Sequence, residues 1–112
     1  MKLLAFVCLM AIVGCRYVGP LDISVQVESG ISRDRKLIIQ NYETKSLTDV
    51  TITITPEDSG NEYFYNIGKI AAKSTEKIPL RKFKDEGGNH FRGYVGDIEI
   101  ECDQGRWKSK SN

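Results

Sequence analysis

The stretch Val50-Thr51-Ile52-Thr53-Ile54-Thr55 alternates aliphatic and threonine residues without a break. Successive side chains of an extended strand point to opposite faces, so a period of two gives one buried face and one wet face. A helix would scatter the same aliphatic residues around its axis. Two further segments repeat the pattern: Ile23, Val25 and Val27 alternate with Ser24 and Gln26, and Ile98, Ile100 and Cys102 alternate with Glu99 and Glu101. Lys36 to Tyr42, with Leu-Ile-Ile inside it, reads as a more fully buried strand, and Glu62 to Ile67 and Thr75 to Leu80 are further candidates. No window carries a helical stripe.

The punctuation agrees with many short strands. Ser29-Gly30, Asp58-Ser59-Gly60-Asn61, Glu86-Gly87-Gly88-Asn89 and Asp103-Gln104-Gly105 are turn clusters. Pro56 ends the Val50 strand, and Pro79, which has no N–H to give a ladder, makes the Thr75 strand an edge. With 112 residues the chain has room for one core. The expectation is an all-β fold, a small antiparallel β-sandwich of about six or seven strands.

The first fifteen residues obey a different rule. Lys2 is followed by an unbroken apolar run, Leu3 to Val13, which is shorter than the ~20 residues of a membrane span and fits the apolar region of an export signal. It ends Ile12-Val13-Gly14-Cys15, which resembles the bacterial lipobox. The resemblance implies a diacylglyceryl group on the Cys15 thiol and cleavage between Gly14 and Cys15, where a small residue must enter the peptidase. It implies a signal peptide over 1–14, a lipidated tether over 15–20, and attachment to a membrane of the cell envelope. Arg16, standing where an Asp would commonly hold a Gram-negative lipoprotein at the inner membrane, favours the outer membrane in such a cell. Two or more acyl chains hold stably where one holds weakly.

The remainder divides into a sandwich over 21–105 and a polar tail over 106–112, in which Trp107 lies among Arg106, Lys108 and Lys110. From about Leu37 to Gly105 the chain resembles small immunoglobulin- or fibronectin type III-like domains of exported bacterial proteins. The residues that carry the likeness are Asn41, Leu47 to Ile54, Ile67 to Ser74, Ile78-Pro79-Leu80, Phe83, Gly88, Phe91 and Ile98 to Cys102. In such domains the asparagine closes a strand, and a turn like Ile67 to Ser74 precedes the edge strand, often with Gly at the place of Lys73. The likeness implies a fold, and a fold does not fix a function.

Charge and chemistry narrow the functional classes. The 16 Lys and Arg nearly balance 15 Asp and Glu. Nucleic acid normally needs a basic patch or stripe, so it is not an expected partner. Of three cysteines, Cys8 leaves with the signal and Cys15 takes lipid, leaving Cys102 without a disulfide partner. Its place in the Ile98-Ile100 alternation makes it a small core hydrophobe. His90 is the single histidine, in a glycine-rich loop, and neither a nucleophile–base arrangement nor a metal-ligand spacing accompanies it. Glu57 to Glu62 is oxygen-rich but lacks the spacing and distal Glu of a calcium loop. No enzyme activity, cofactor or metal is expected.

Recognition of another envelope protein is the leading expectation, with an envelope-protection, exclusion or inhibitor lipoprotein as the alternative. Tyrosine suits recognition because it joins apolar area to a polar tip. Tyr63 and Tyr65 share one face of their strand, with Phe64 on the other. Two readings stand: the tyrosines face outward over a core Phe64, or they pack on the core and Phe64 faces away, because period alone does not choose the face. The first would make Tyr63 and Tyr65 the candidate patch, beside the long Phe83 to Tyr94 loop that bears His90 and Arg92.

Overall fold

The computed structural model describes residues 20–28 and 35–109. Seven strands run through them: β1 (Ile23–Val27), β2 (Lys36–Asn41), β3 (Leu47–Pro56), β4 (Tyr63–Ile70), β5 (Thr75–Pro79), β6 (Val95–Cys102) and β7 (Gly105–Lys108), with a 3-10 turn at Leu80–Lys82. They form two antiparallel sheets, one in the order β1-β2-β5 and one in the order β4-β3-β6-β7. The fold is the expected small all-β sandwich. The chain changes sheet after β2, after β4 and after β5, the crossing pattern of immunoglobulin-like sandwiches. Here the fourth strand joins the larger sheet instead of extending the smaller one. The Thr75 strand is an edge, as Pro79 requires.

The core lies between the sheets: Leu37 and Ile39 from β2, Leu47, Val50, Ile52 and Ile54 from β3, Ile98 and Ile100 from β6, closed by Ile70, Ile78, Leu80, Phe83 and Phe91. β2 is not buried on both faces, contrary to the reading of Lys36 to Tyr42. It alternates, with Leu37, Ile39 and Asn41 inside, and Tyr42 lies past its end, 45% exposed. β3 begins three residues earlier than its alternation suggests. Asp49 adopts a left-handed φ of 53° in a bulge between Thr48 and Val50. The extra residue resets the period, so Leu47 and Val50 both point inward although three positions separate them.

The end of the chain departs from expectation. Residues 106–108 are no tail: Gly105–Lys108 pairs with β6 through a two-residue turn, setting Trp107 opposite Ile100 and half-burying it against the core. The four-residue strand carries a single inward side chain between Arg106 and Lys108, too short a pattern to announce itself. Cys102 shares the inward face with Ile98 and Ile100 but sits half-buried at its margin, its Sγ 3.5 Å from the Gly105 carbonyl oxygen.

Asn41 ties the crossovers together. It is 1% exposed. Its Nδ2 donates to the carbonyls of Ala71 (3.1 Å), Lys45 (3.3 Å) and Ile70 (3.4 Å), and its Oδ1 accepts from the N–H of Glu43 (2.9 Å). Its own N–H donates to Ser74 O at 2.8 Å. One side chain thus joins the β2–β3 and β4–β5 connections, where buried backbone groups would otherwise lack partners. On the β4–β5 connection Lys73 has a φ of 58°, so this is a position where glycine would relieve strain.

The register defines two ends. At one lie Pro20, the 42–46 and 71–74 connections, and the β6–β7 turn. The isolated parallel bridge between Pro20 and Arg106 fixes the entering chain there. At the other lie the start of β2, the β3–β4 hairpin and the 80–94 segment. Ten residues of β3 at ~3.3 Å each separate the ends by roughly 30 Å.

Candidate functional site

The facing of β4 is decided by its partner. In an antiparallel pair, residues directly opposite each other point to the same side. Tyr65 is opposite Ile52 and Tyr63 is opposite Ile54, and both isoleucines are fully buried. Tyr63 and Tyr65 therefore face inward, half-buried. The outward reading of the tyrosine pair is corrected, and Phe64, opposite Thr53 and 36% exposed, is the residue that looks out. The inward tyrosines meet rings from the 80–94 segment: Tyr63 packs edge-on against Phe91 at 5.3 Å, and Tyr65 lies 5.6 Å from Phe83. Phe83 and Phe91 are the segment's anchors, at 0% and 6% exposure.

Strand and loop are brought together as the sequence suggested, but by backbone. The N–H of Phe64 donates to Lys84 O (2.8 Å) and that of Lys84 donates to Phe64 O (3.1 Å), so the segment covers part of the open edge of β4. Phe91 N–H donates in turn to Phe83 O (2.9 Å), and Lys84 bridges to His90. Asp85 closes the loop. Its carboxylate accepts from the backbone N–H of Asn89 (2.8 Å) and from the side-chain amides of Asn89 (3.1 Å) and Asn61 (3.0 Å). The Asn89 N–H, then the Asn61 and Asn89 amides, hold its pKa below the usual carboxylate value.

The same end gathers cations from segments remote in sequence. Leu80 N–H donates to Arg35 O at 3.0 Å, bringing the start of β2 to the 3-10 turn. The Arg35 guanidinium donates from Nη2 to Gly93 O (2.6 Å) and lies 5.8 Å from the centre of the Tyr94 ring. Tyr94 is 63% exposed. It is set by the entry to β6: Tyr94 O accepts from Glu57 N–H, and Gly96 passes so close to β3 that a Cβ there would come 2.8 Å from Thr55 O. His90 and Arg92 are both exposed, and the His90 Nδ1 lies 2.7 Å from Arg81 O.

His90 thus meets a backbone carbonyl, while Cys102 lies at the opposite end, its thiol pKa raised chiefly by desolvation. Among the described residues no group of three or more His, Cys, Asp or Glu side chains could hold a metal. Gly14 and Cys15 lie outside the described residues. Arg35, Phe64 and Tyr94 were missed as a set. Tyr94 closes the loop that sequence singled out, but no local pattern says that Arg35 joins it, because that contact spans 58 positions. The chain matches no family model, no curated protein and no solved structure.

Proposed function

We propose that the protein is a lipid-anchored, non-catalytic binding module of the bacterial cell envelope, attached through Cys15 and recognising another envelope protein with the end that carries residues 80–94. The observation behind this reading is the placement of the two ends. Pro20 joins β7 beside Arg106, so an anchor five residues before it would hold that end at the lipid surface. The end with Tyr94, Arg35, His90 and Arg92 would then stand roughly 30 Å away, facing outward. Its loops are held on rigid strands, the arrangement in which loops carry recognition. Lipidation rests on the lipobox-like Ile12-Val13-Gly14-Cys15 and the apolar run before it.

A photo-crosslinking residue placed at Tyr94 in living cells tests the reading, with one at Thr53 on the outer sheet face as the control. The proposal expects a discrete protein adduct from position 94 and none from position 53. No adduct at 94, or equal adducts at both, contradicts it.

A further inference from the structure

We infer that the end carrying residues 80–94 binds an acidic peptide segment of its protein partner, with Arg35, Arg92 and Tyr94 as the principal contacts. This rests on the binding-module reading above and names the chemistry of the ligand. The structural basis is a set of cations, Arg35, Lys82 and Arg92, that pair with no carboxylate among the described residues. Among the described residues the one ion pair is Arg106–Glu101, at the opposite end and on the outer sheet face. Arg35 commits one nitrogen to Gly93 O and keeps its remaining N–H donors. Arg92 adjoins Gly93, and Lys82 ends the 3-10 turn whose first residue bonds to Arg35; both side chains are exposed.

Two of the nearby carboxylates are engaged. Asp85 is held by Asn61 and Asn89, and Glu28 accepts from the Lys36 N–H at 3.0 Å. The guanidinium fork matches a carboxylate in two parallel hydrogen bonds. The Arg35–Gly93 bond removes part of the side-chain freedom that binding would otherwise have to freeze. Tyr94 offers apolar area with a polar tip beside that fork, the pairing enriched where proteins bind proteins.

A polyanionic polymer is the less suitable ligand. Such ligands need a continuous basic stripe. Here Glu28, Glu57, Asp85 and Glu86 are interspersed among Arg35, Lys82 and Arg92, so the sequence supplies no such stripe. The geometry fits a short run of carboxylates with an apolar side chain among them.

The test is fluorescence anisotropy on the full chain in mild detergent. The probe is a labelled peptide of glutamate pairs separated by leucines, with its glutamine counterpart and polyphosphate as the other arms. Saturable binding of the glutamate peptide is expected. It should weaken tenfold or more for the glutamine peptide, for the Arg35→Gln/Arg92→Gln double variant and for Tyr94→Ser. Added salt should weaken it as well. Lys45→Gln, at the anchored end, should leave it unchanged, and unchanged thermal unfolding of each variant separates lost binding from lost fold. Failure of the peptide to bind, or binding indifferent to both the arginine and tyrosine variants, overturns the inference. Tighter, arginine-dependent binding of polyphosphate also overturns it, in favour of an anionic polymer. A protein adduct at position 94 without peptide binding would sink this inference and leave the binding module standing, whereas no adduct would remove both.

Discussion

Replacing Asn41 should be among the most damaging single changes to this domain, although the residue is polar and touches no candidate contact. Asn41→Ala strips the donor from the carbonyls of Lys45, Ile70 and Ala71 and the acceptor from the Glu43 N–H. Two amide hydrogens shared among three carbonyls amount to about two good bonds, each worth ~1 kcal/mol net. The contact to Ile70 O is buried, so that oxygen loses its partner where water does not readily replace it, at a further cost of ~1 kcal/mol or more. The total is about 2–4 kcal/mol, a large share of the ~5–15 kcal/mol that holds a domain folded. In equilibrium urea denaturation a loss of ~3 kcal/mol moves the midpoint down by about 2 M, for a slope of ~1.5 kcal/mol/M. Asn41→Asp is the informative companion. It keeps the shape and the acceptor but turns an oxygen toward three carbonyl oxygens, so it should cost at least as much as Asn41→Ala. A midpoint shift below ~0.5 M for Asn41→Ala, or an Asp variant close to wild type, would refute the reasoning that this amide joins the two crossovers.

Tyr63→Ser/Tyr65→Ser should destabilise by ~3 kcal/mol or more through lost packing on Phe91 and Phe83, while Phe64→Ser should cost under ~1 kcal/mol; urea midpoints in the reverse order would return the tyrosines to the surface. Lys73→Gly should stabilise by ~0.5 kcal/mol, because release of the left-handed φ outweighs the added freedom of the unfolded chain and the loss of the Lys73 Nζ bond to Tyr42 O; a lower melting temperature would contradict this. Asp85 has a lower pKa folded than unfolded, so its contribution is complete above the ordinary carboxylate value and is lost as pH falls through the folded one. Asp85→Asn should therefore flatten the acid limb of melting temperature against pH, and an unchanged limb would show that the loop does not depend on this carboxylate.

The sandwich was legible where alternation was long. Val50 to Thr55 and Ile98 to Cys102 announce their inner faces, and Pro79 announces an edge. What sequence could not say was governed by register. Tyr63 and Tyr65 are inward because they stand opposite Ile54 and Ile52, a fact about pairing that their own period does not contain. Leu47 was hidden by one residue of bulge at Asp49, which breaks the period that would have shown it. Trp107 was read with the charged residues around it, because only pairing with Ile100 turns Arg106 to Lys108 into a strand. The proposed binding end was half legible: the glycine-rich 83–94 loop stood out with His90 and Arg92. Its junction with Arg35 comes from a β5–β6 connection folding back onto the start of β2, a long-range contact with no local trace.

The proposed binding role turns on the anchor, since a tether at Cys15 would give the opposite end its outward position. Metabolic labelling with a fatty-acid analogue, applied to the wild-type chain and to Cys15→Ser in a bacterial cell, tests that most directly. The account predicts acyl label on a processed wild-type protein in the membrane fraction, and an unlabelled, unprocessed precursor for Cys15→Ser. Label persisting on Cys15→Ser, or an unlabelled wild-type chain, would contradict it.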